Sequence, residues 1–236
     1  MKATEAFGQG ERFGCTLSAM RAVIFDFDGV IVDSEPVHEE GLRLAAATVG
    51  MAVTHERYLA EYVGYDDRDC FLAVARDHGR ELTEEECEAL AQRKAALVAK
   101  MLDEGRAPAY PGAVELVRAA AAEYPIAICS GALLSEIEAC VKRLGIRNLF
   151  RTIVSAEMVE KSKPDPACYL LTAERLGVAP AECVVIEDTP TGATAAKRAG
   201  MKVMGVGHTV GVEKLRGVAD RVASTVQSVS IAALHF

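Results

Sequence analysis

The chain has 236 residues, half of them hydrophobic and a quarter charged, the composition of a globular protein with enough apolar material for a sizeable core. A formal net charge of −8 repels phosphate backbones and anionic lipid heads, so nucleic acid and membrane surfaces are not expected partners. The seven cysteines form no C-x-x-C pair, and several lie in apolar runs, so reduced, buried thiols in a cytoplasmic protein are expected, not disulfides or a zinc site.

In chain order, Met1–Ala19 is polar and glycine-bearing, with no apolar stretch of the signal-peptide kind. It reads as a disordered or tag-like tail, with the natural start expected at Met20. A buried-type strand over Ala22–Phe25 follows, and then Asp26, Asp28 and Gly29. Side chains two apart on a strand point the same way, so both acids are expected to project from its carboxyl end. No strand pattern occurs between about Pro36 and Arg106. Helices are predicted there over His38–Val49, His55–Tyr62, Asp66–His78 and Glu84–Asp103, the last opened by the capping box Thr83-x-x-Glu86. Pro108 and Pro111-Gly112 mark a return linker.

Beyond it, apolar runs at Ile126–Cys129, Thr152–Ser155, Cys183–Ile186 and Lys202–Val206 alternate with helical patterns at Ala113–Glu123, Ser135–Leu144, Pro166–Leu176 and Thr191–Ala199. The runs lack polar alternation, as strands buried on both faces do. The expected fold is α/β, a doubly wound parallel sheet carrying an inserted helical domain. The core is expected over residues 20–34 and 107–236, and the helical insert over 35–106.

Chemistry-bearing residues follow these strands. Ser130-Gly131 comes after the second, offering a hydroxyl and backbone N–H groups to a phosphate. Lys163, between Ser162 and Pro164, comes after the third. Glu187-Asp188 follows the fourth. A fold of this class gathers such strand ends in one crevice. Carboxylates held that close repel one another, and a hard divalent cation with oxygen ligands relieves the repulsion, which points to Mg²⁺.

The order FDFDGVIVDSE, CSG, KSKPDP and IEDTPTGATAAKRAGM resembles the four signature motifs of the haloacid dehalogenase superfamily, over Met20 to about Val210. The helical insert resembles that family's cap, and Gln92-Arg93-Lys94 is similar to the β-phosphoglucomutase-like branch. The resemblance implies a Rossmann-like core with a helical cap domain. It implies Asp26 as nucleophile forming an aspartyl-phosphate, Asp28 as general acid/base, and Ser130, Gly131 and Lys163 as phosphate-binding groups. Asp26, Asp28, Glu187 and Asp188 would bind or orient the metal. Dehalogenases and phosphonate-cleaving relatives lack an acid at the position of Asp28, which excludes them.

Two activities stay open within this resemblance. A mutase must hold a second phosphate, and its cap carries an arginine after a Gly-x-Ser segment. Here the stretch is Gly64-Tyr65-Asp66-Asp67-Arg68, with an acid at that position, and Ala132 stands where mutases place a second serine. Both departures favour a phosphatase acting on a small phosphorylated metabolite, such as a sugar or polyol phosphate. A non-catalytic phosphate-sensing module is the remoter alternative, since such relatives usually lose the nucleophile or the acid. Glu35, His38, Tyr65, Asp66 and Arg68 are candidate specificity residues on the insert. The resemblance further implies a monomer, with the cap hinging near Ser34–Pro36 and Arg106–Pro111.

Overall fold

β1 (Ala22–Phe25) is four fully buried residues, and the acids begin where it ends. The computed structural model describes residues 20–63 and 65–236; the tail expected over Met1–Ala19, with Cys15, lies outside them.

The helical insert follows β1. α1 (Glu35–Ala47) starts three residues earlier than the pattern predicts, with Pro36 in its first turn, where a missing N–H costs nothing. α2 (His55–Arg57) runs straight into a π-helical turn, Tyr58–Tyr62. α3 (Asp67–Asp77) is capped by Asp66, and α4 (Glu84–Asp103) by the capping box, with Glu86 N–H donating to Thr83 at 3.2 Å and Thr83 N–H to Glu86 at 2.9 Å. These elements share their own apolar cluster, including Leu42, Met51, Tyr58, Phe71, Val74 and Leu90. The chain enters and leaves the insert along paired linkers. Asp33 N–H donates to Pro108 C=O at 2.9 Å and Tyr110 N–H to Ile31 C=O at 3.0 Å, around a bridge between Val32 and Ala109.

After the return come α5 (Ala113–Glu123), β2 (Ile126–Cys129), α6 (Leu134–Arg143), β3 (Phe150–Val154), α7 (Ala167–Leu176), β4 (Cys183–Glu187), α8 (Pro190–Arg198), β5 (Lys202–Val206), α9 (Val212–Leu215) and β6 (Arg221–Ala223). α7 ends on Gly177 at φ +67°, a left-handed cap that a residue without Cβ adopts freely. All strand pairs are parallel, in the order β3-β2-β1-β4-β5-β6. The sequence pattern missed β6, a three-residue edge strand with no fully buried position, and placed β3 two residues late because Arg151 is exposed at its start.

Alternate residues of each strand serve opposite faces. Val23, Phe25, Ile126, Ile128, Val184 and Ile186 pack with α5 and α6. Ala22, Ile24, Cys129, Cys183 and Val185 pack with α7 and α8. Burial on both faces is why the strands read as unbroken apolar runs. β1 lies between β2 and β4, so the strand order reverses at β1. Open α/β sheets bind ligands at such a reversal, beyond the carboxyl ends of the strands. The six described cysteines are free and buried.

Candidate active site

Register brings the acids together. Phe25 pairs with Ile186, and Asp26 N–H donates to Ile186 C=O at 2.9 Å, so Asp26 leaves β1 beside Glu187 and Asp188 at the end of β4. Oxygens of Asp26, Glu187 and Asp188 all lie within 4.8 Å of one another, and all three residues are buried.

Lys163 supplies the opposing charge. Its Nζ stands 3.1 Å from Asp26 Oδ1 and 2.8 Å from Glu187 Oε1, donates to Cys129 C=O at 3.3 Å, and lies 5.0 Å from the centre of the Tyr169 ring. The segment that delivers it has a cis Lys163–Pro164 bond, and Asp165 accepts from Ala167 N–H at 3.0 Å as α7 opens.

Glu187 is fully occupied. Oε1 takes the ammonium and the Tyr169 hydroxyl at 3.2 Å; Oε2 takes the Thr189 N–H at 2.9 Å and hydroxyl at 3.0 Å. Its carboxylate lies against Gly192, where a Cβ would come within 1.5 Å of Oε1. Asp26 Oδ1 and Asp188 Oδ1, by contrast, are buried and accept no hydrogen bond; the Lys163 contact to Asp26 is an ion pair only. Asp188 Oδ2 takes the Thr209 hydroxyl.

The electrostatics follow. Burial, the largest influence, pushes the Asp26 carboxyl well above the usual range, and Lys163 offsets this only in part while Glu187, Asp188 and Asp28 add to it. Burial and the charge of Glu187 push Asp188 up to about 8. Burial alone would raise Glu187 too, but Lys163 and Thr189 bring it below its ordinary value. Burial works against the Lys163 charge, yet Asp26 and Glu187 hold it well above the usual lysine value. Two buried acids with unbonded oxygens form a site short of positive charge. Both unbonded atoms are carboxylate oxygens, a donor set that fits a hard divalent cation.

Asp28 is half-buried and turned toward Ser34 and Ser130, accepting from the Ser34 hydroxyl and from Ser130 Oγ at 3.4 Å. Ser130 Oγ also accepts the Ala132 N–H at 3.0 Å, and Gly131 stands exposed in open space. Gly29, at φ +74°, makes the turn, and a Cβ there would fall 1.8 Å from Asp188 Oδ2.

The insert's candidates divide. Glu35 accepts the Tyr58 hydroxyl at 2.5 Å. Asp66 caps α3 through the Asp69 N–H at 2.8 Å, and Arg68 makes a two-pronged pair with Glu84 at 3.0 and 2.8 Å, so both serve the insert's own structure. Tyr65 is exposed, and His38 half-buried.

Glu136 escaped the sequence reading, and Lys94 entered it only within Gln92-Arg93-Lys94, with no role assigned. Lys94, 7% exposed, pairs with Asp67, and Glu136, 6% exposed, sits in the first turn of α6 with Leu133 N–H donating to it at 3.1 Å. Burial raises the Glu136 carboxyl, with His38 and Lys94 pulling it down and Asp28 pushing it up, which groups these residues near the crevice. Both lie on the apolar stripe of their helix, Lys94 with Cys87, Leu90, Val98 and Met101, and Glu136 with Ile137, Cys140 and Val141. A charge at a core-facing helical position was the signal available.

Three buried carboxylates and one lysine stand at the point where the parallel strand order reverses, which is where α/β enzymes of this class place their active sites. A family model for haloacid dehalogenase-like hydrolases matches residues 20–200. The chain belongs to that family. It is 33% identical over 184 residues to the fructose-1-phosphate phosphatase YqaB of Escherichia coli, covering 78% of this chain and 95% of that protein. It is 31% identical over 193 residues to a phosphorylated carbohydrates phosphatase of Thermotoga maritima, covering 81% and 87%. The crystal structure of CbbY from Rhodobacter sphaeroides in complex with phosphate is similar with a TM-score of 0.81 at 25% identity, covering 91% of this chain and 99% of that one.

Proposed function

We propose that this hydrolase, a phosphatase, releases inorganic phosphate from a small sugar or polyol phosphate through a phosphorylated Asp26. The observation that carries this is the pairing of two buried carboxylate oxygens without hydrogen bonds, on Asp26 and Asp188, with the ammonium of Lys163 at 3.1 Å from the first. Relatives named as a fructose-1-phosphate phosphatase and a phosphorylated carbohydrates phosphatase support the substrate class.

Asp26 attacks phosphorus and the ester oxygen departs, taking a proton from Asp28; the products are the free alcohol and an acyl phosphate on Asp26. Asp28 then takes a proton from water, which attacks the same phosphorus, releases inorganic phosphate and restores the Asp26 carboxylate. Ser130 and the Gly131 backbone hold the phosphoryl oxygens, and Lys163 removes the repulsion between that anion and Asp26. Asp26 and Asp188, with the main-chain carbonyl of Asp28, are the groups to hold Mg²⁺, while Glu187 fixes Lys163. The ion, when bound, supplies positive charge to the phosphoryl oxygens. Ser34 stands at the root of α1, so a shift of the insert changes what Asp28 is bonded to. Hydrolysis is favoured over phosphate transfer between sugar positions because Ala132 stands where a mutase carries a second serine, and Lys94, a buried cation of the insert, is paired with Asp67.

Phosphate release from a panel of sugar, polyol and aryl phosphates tests this, with and without Mg²⁺, for the wild type and Asp26→Asn. Mg²⁺-dependent release that Asp26→Asn abolishes is expected. Interconversion of β-glucose 1-phosphate and 6-phosphate without net release would replace it with a mutase, and no turnover of any phosphomonoester would overturn it.

A further inference from the structure

We propose that the loop after β5 is part of the metal-binding apparatus: the Thr209 hydroxyl orients Asp188 toward the cation, and His208 pins the turn that carries Asp28. This rests on the reading of Asp26 and Asp188 as the cation site.

Gly207-His208-Thr209 follows β5, so it emerges at the same sheet edge as the loops after β1, β2 and β4. Thr209 is exposed at its tip, yet its hydroxyl turns inward and donates to Asp188 Oδ2. The other oxygen of the same carboxylate, Oδ1, is buried and unbonded. A carboxylate held by one oxygen cannot rotate freely, and the second oxygen is thereby presented in a fixed direction. Gly29 completes the packing: a Cβ at that position would lie 1.8 Å from Asp188 Oδ2 and 2.7 Å from Thr209 Oγ1. Only hydrogen fits between the turn, the carboxylate and the hydroxyl.

His208 fixes the other side of the turn. Val226 N–H donates to Nε2 at 3.1 Å, so Nε2 is the acceptor and the ring proton sits on Nδ1. Nδ1–H then donates to Gly29 C=O at 2.8 Å. The ring stacks on Tyr110 of the return linker, with centroids 4.0 Å apart and planes 18° from parallel. Val226 is 1% exposed, so the histidine is anchored in the core at one end while it grips the turn at the other. A plain connection between β5 and α9 requires neither contact. Outer groups that orient a metal ligand commonly change metal affinity by about tenfold or more. The exposure of Thr209 places it at the lower end of that range.

The test is calorimetric titration of the full chain with MgCl₂, in the absence of substrate. The wild type is expected to bind Mg²⁺, Thr209→Val to bind about tenfold more weakly, and Thr209→Ser, which keeps the hydroxyl and drops the methyl, to match the wild type. His208→Ala is expected to lower kcat for phosphate release while KM stays near the wild-type value, because the turn carrying Asp28 loses its anchor. Equal Mg²⁺ affinity in the wild type and Thr209→Val, or a Ser variant weaker than the Val variant, overturns the role of Thr209. Unchanged kcat in His208→Ala overturns the role of His208. Absence of Mg²⁺ binding by the wild type overturns the cation site itself and this inference with it.

Discussion

Lys163 Nζ lies 2.8 Å from Glu187 Oε1, and the carboxylate it meets is completely buried. Removing one partner of such a pair leaves the other charged and unsolvated, at a cost of roughly 3 kcal/mol or more. Lys163→Met is therefore expected to shift the urea unfolding midpoint downward and to cut phosphate release by at least about a hundredfold. Lys163→Arg is expected to rescue little of either, because a planar fork does not fit a point where Asp26, Glu187 and the Cys129 carbonyl converge on one nitrogen.

The Glu187 carboxylate occupies the space that a side chain at position 192 would need. Gly192→Ala is expected to displace it, lowering stability by about 1–3 kcal/mol and weakening activity through Lys163. Gly217→Ala is the control: no atom stands within 4 Å of the added carbon, and both properties are expected to stay at wild-type values. Thermal melts and phosphate release on the two variants check the contrast.

Chelation is expected to destabilise the protein increasingly as pH rises. Without a cation, burial and Glu187 raise Asp188 from 3.8 to about 8. An acid whose folded value lies above its unfolded value binds more protons when folded. The contribution of Asp188 to stability is therefore full below about pH 4 and is lost as pH rises toward about 8. A bound cation replaces the proton and removes that loss. Melting in excess EDTA against excess MgCl₂ should show a gap that widens across this window; a gap independent of pH would contradict it.

Lys94 and Asp67 are not equivalent partners. Lys94 is buried on the apolar stripe of α4, whereas the Asp67 side chain is 36% exposed. Asp67→Ala strands a buried ammonium, while Lys94→Met leaves a carboxylate that water can reach and an apolar chain on an apolar stripe. Urea denaturation is expected to show Asp67→Ala as the more damaging substitution, by about 1–2 kcal/mol.

The sheet and the crevice residues were legible because one physical cause wrote both. Strands buried on two faces leave unbroken apolar runs, and the residues just past those runs stand at the strand ends, which is where Asp26, Ser130 and Asp188 are found. β6 left no such mark, being short, at the edge and incompletely buried. Lys94 and Glu136 were within reach of helical periodicity, as charges on apolar stripes. Asp66 was legible as the cap of α3 more readily than as a substrate contact, given Asp66-x-x-Asp69 before an apolar run. The grip of His208 on Gly29 spans 179 positions and follows no period, so nothing local records it. Thr209 likewise meets Asp188 only through the parallel pairing of β4 with β5.

The chemistry assigned to Asp26 is open to direct observation. Protein quenched in acid during turnover of a sugar phosphate, digested, and mapped by mass spectrometry should carry one phosphoryl group on the peptide containing Asp26, and none in Asp26→Asn. Rapid phosphate release with no phosphorylated peptide at that position, and undiminished in Asp26→Asn, would contradict attack by this aspartate.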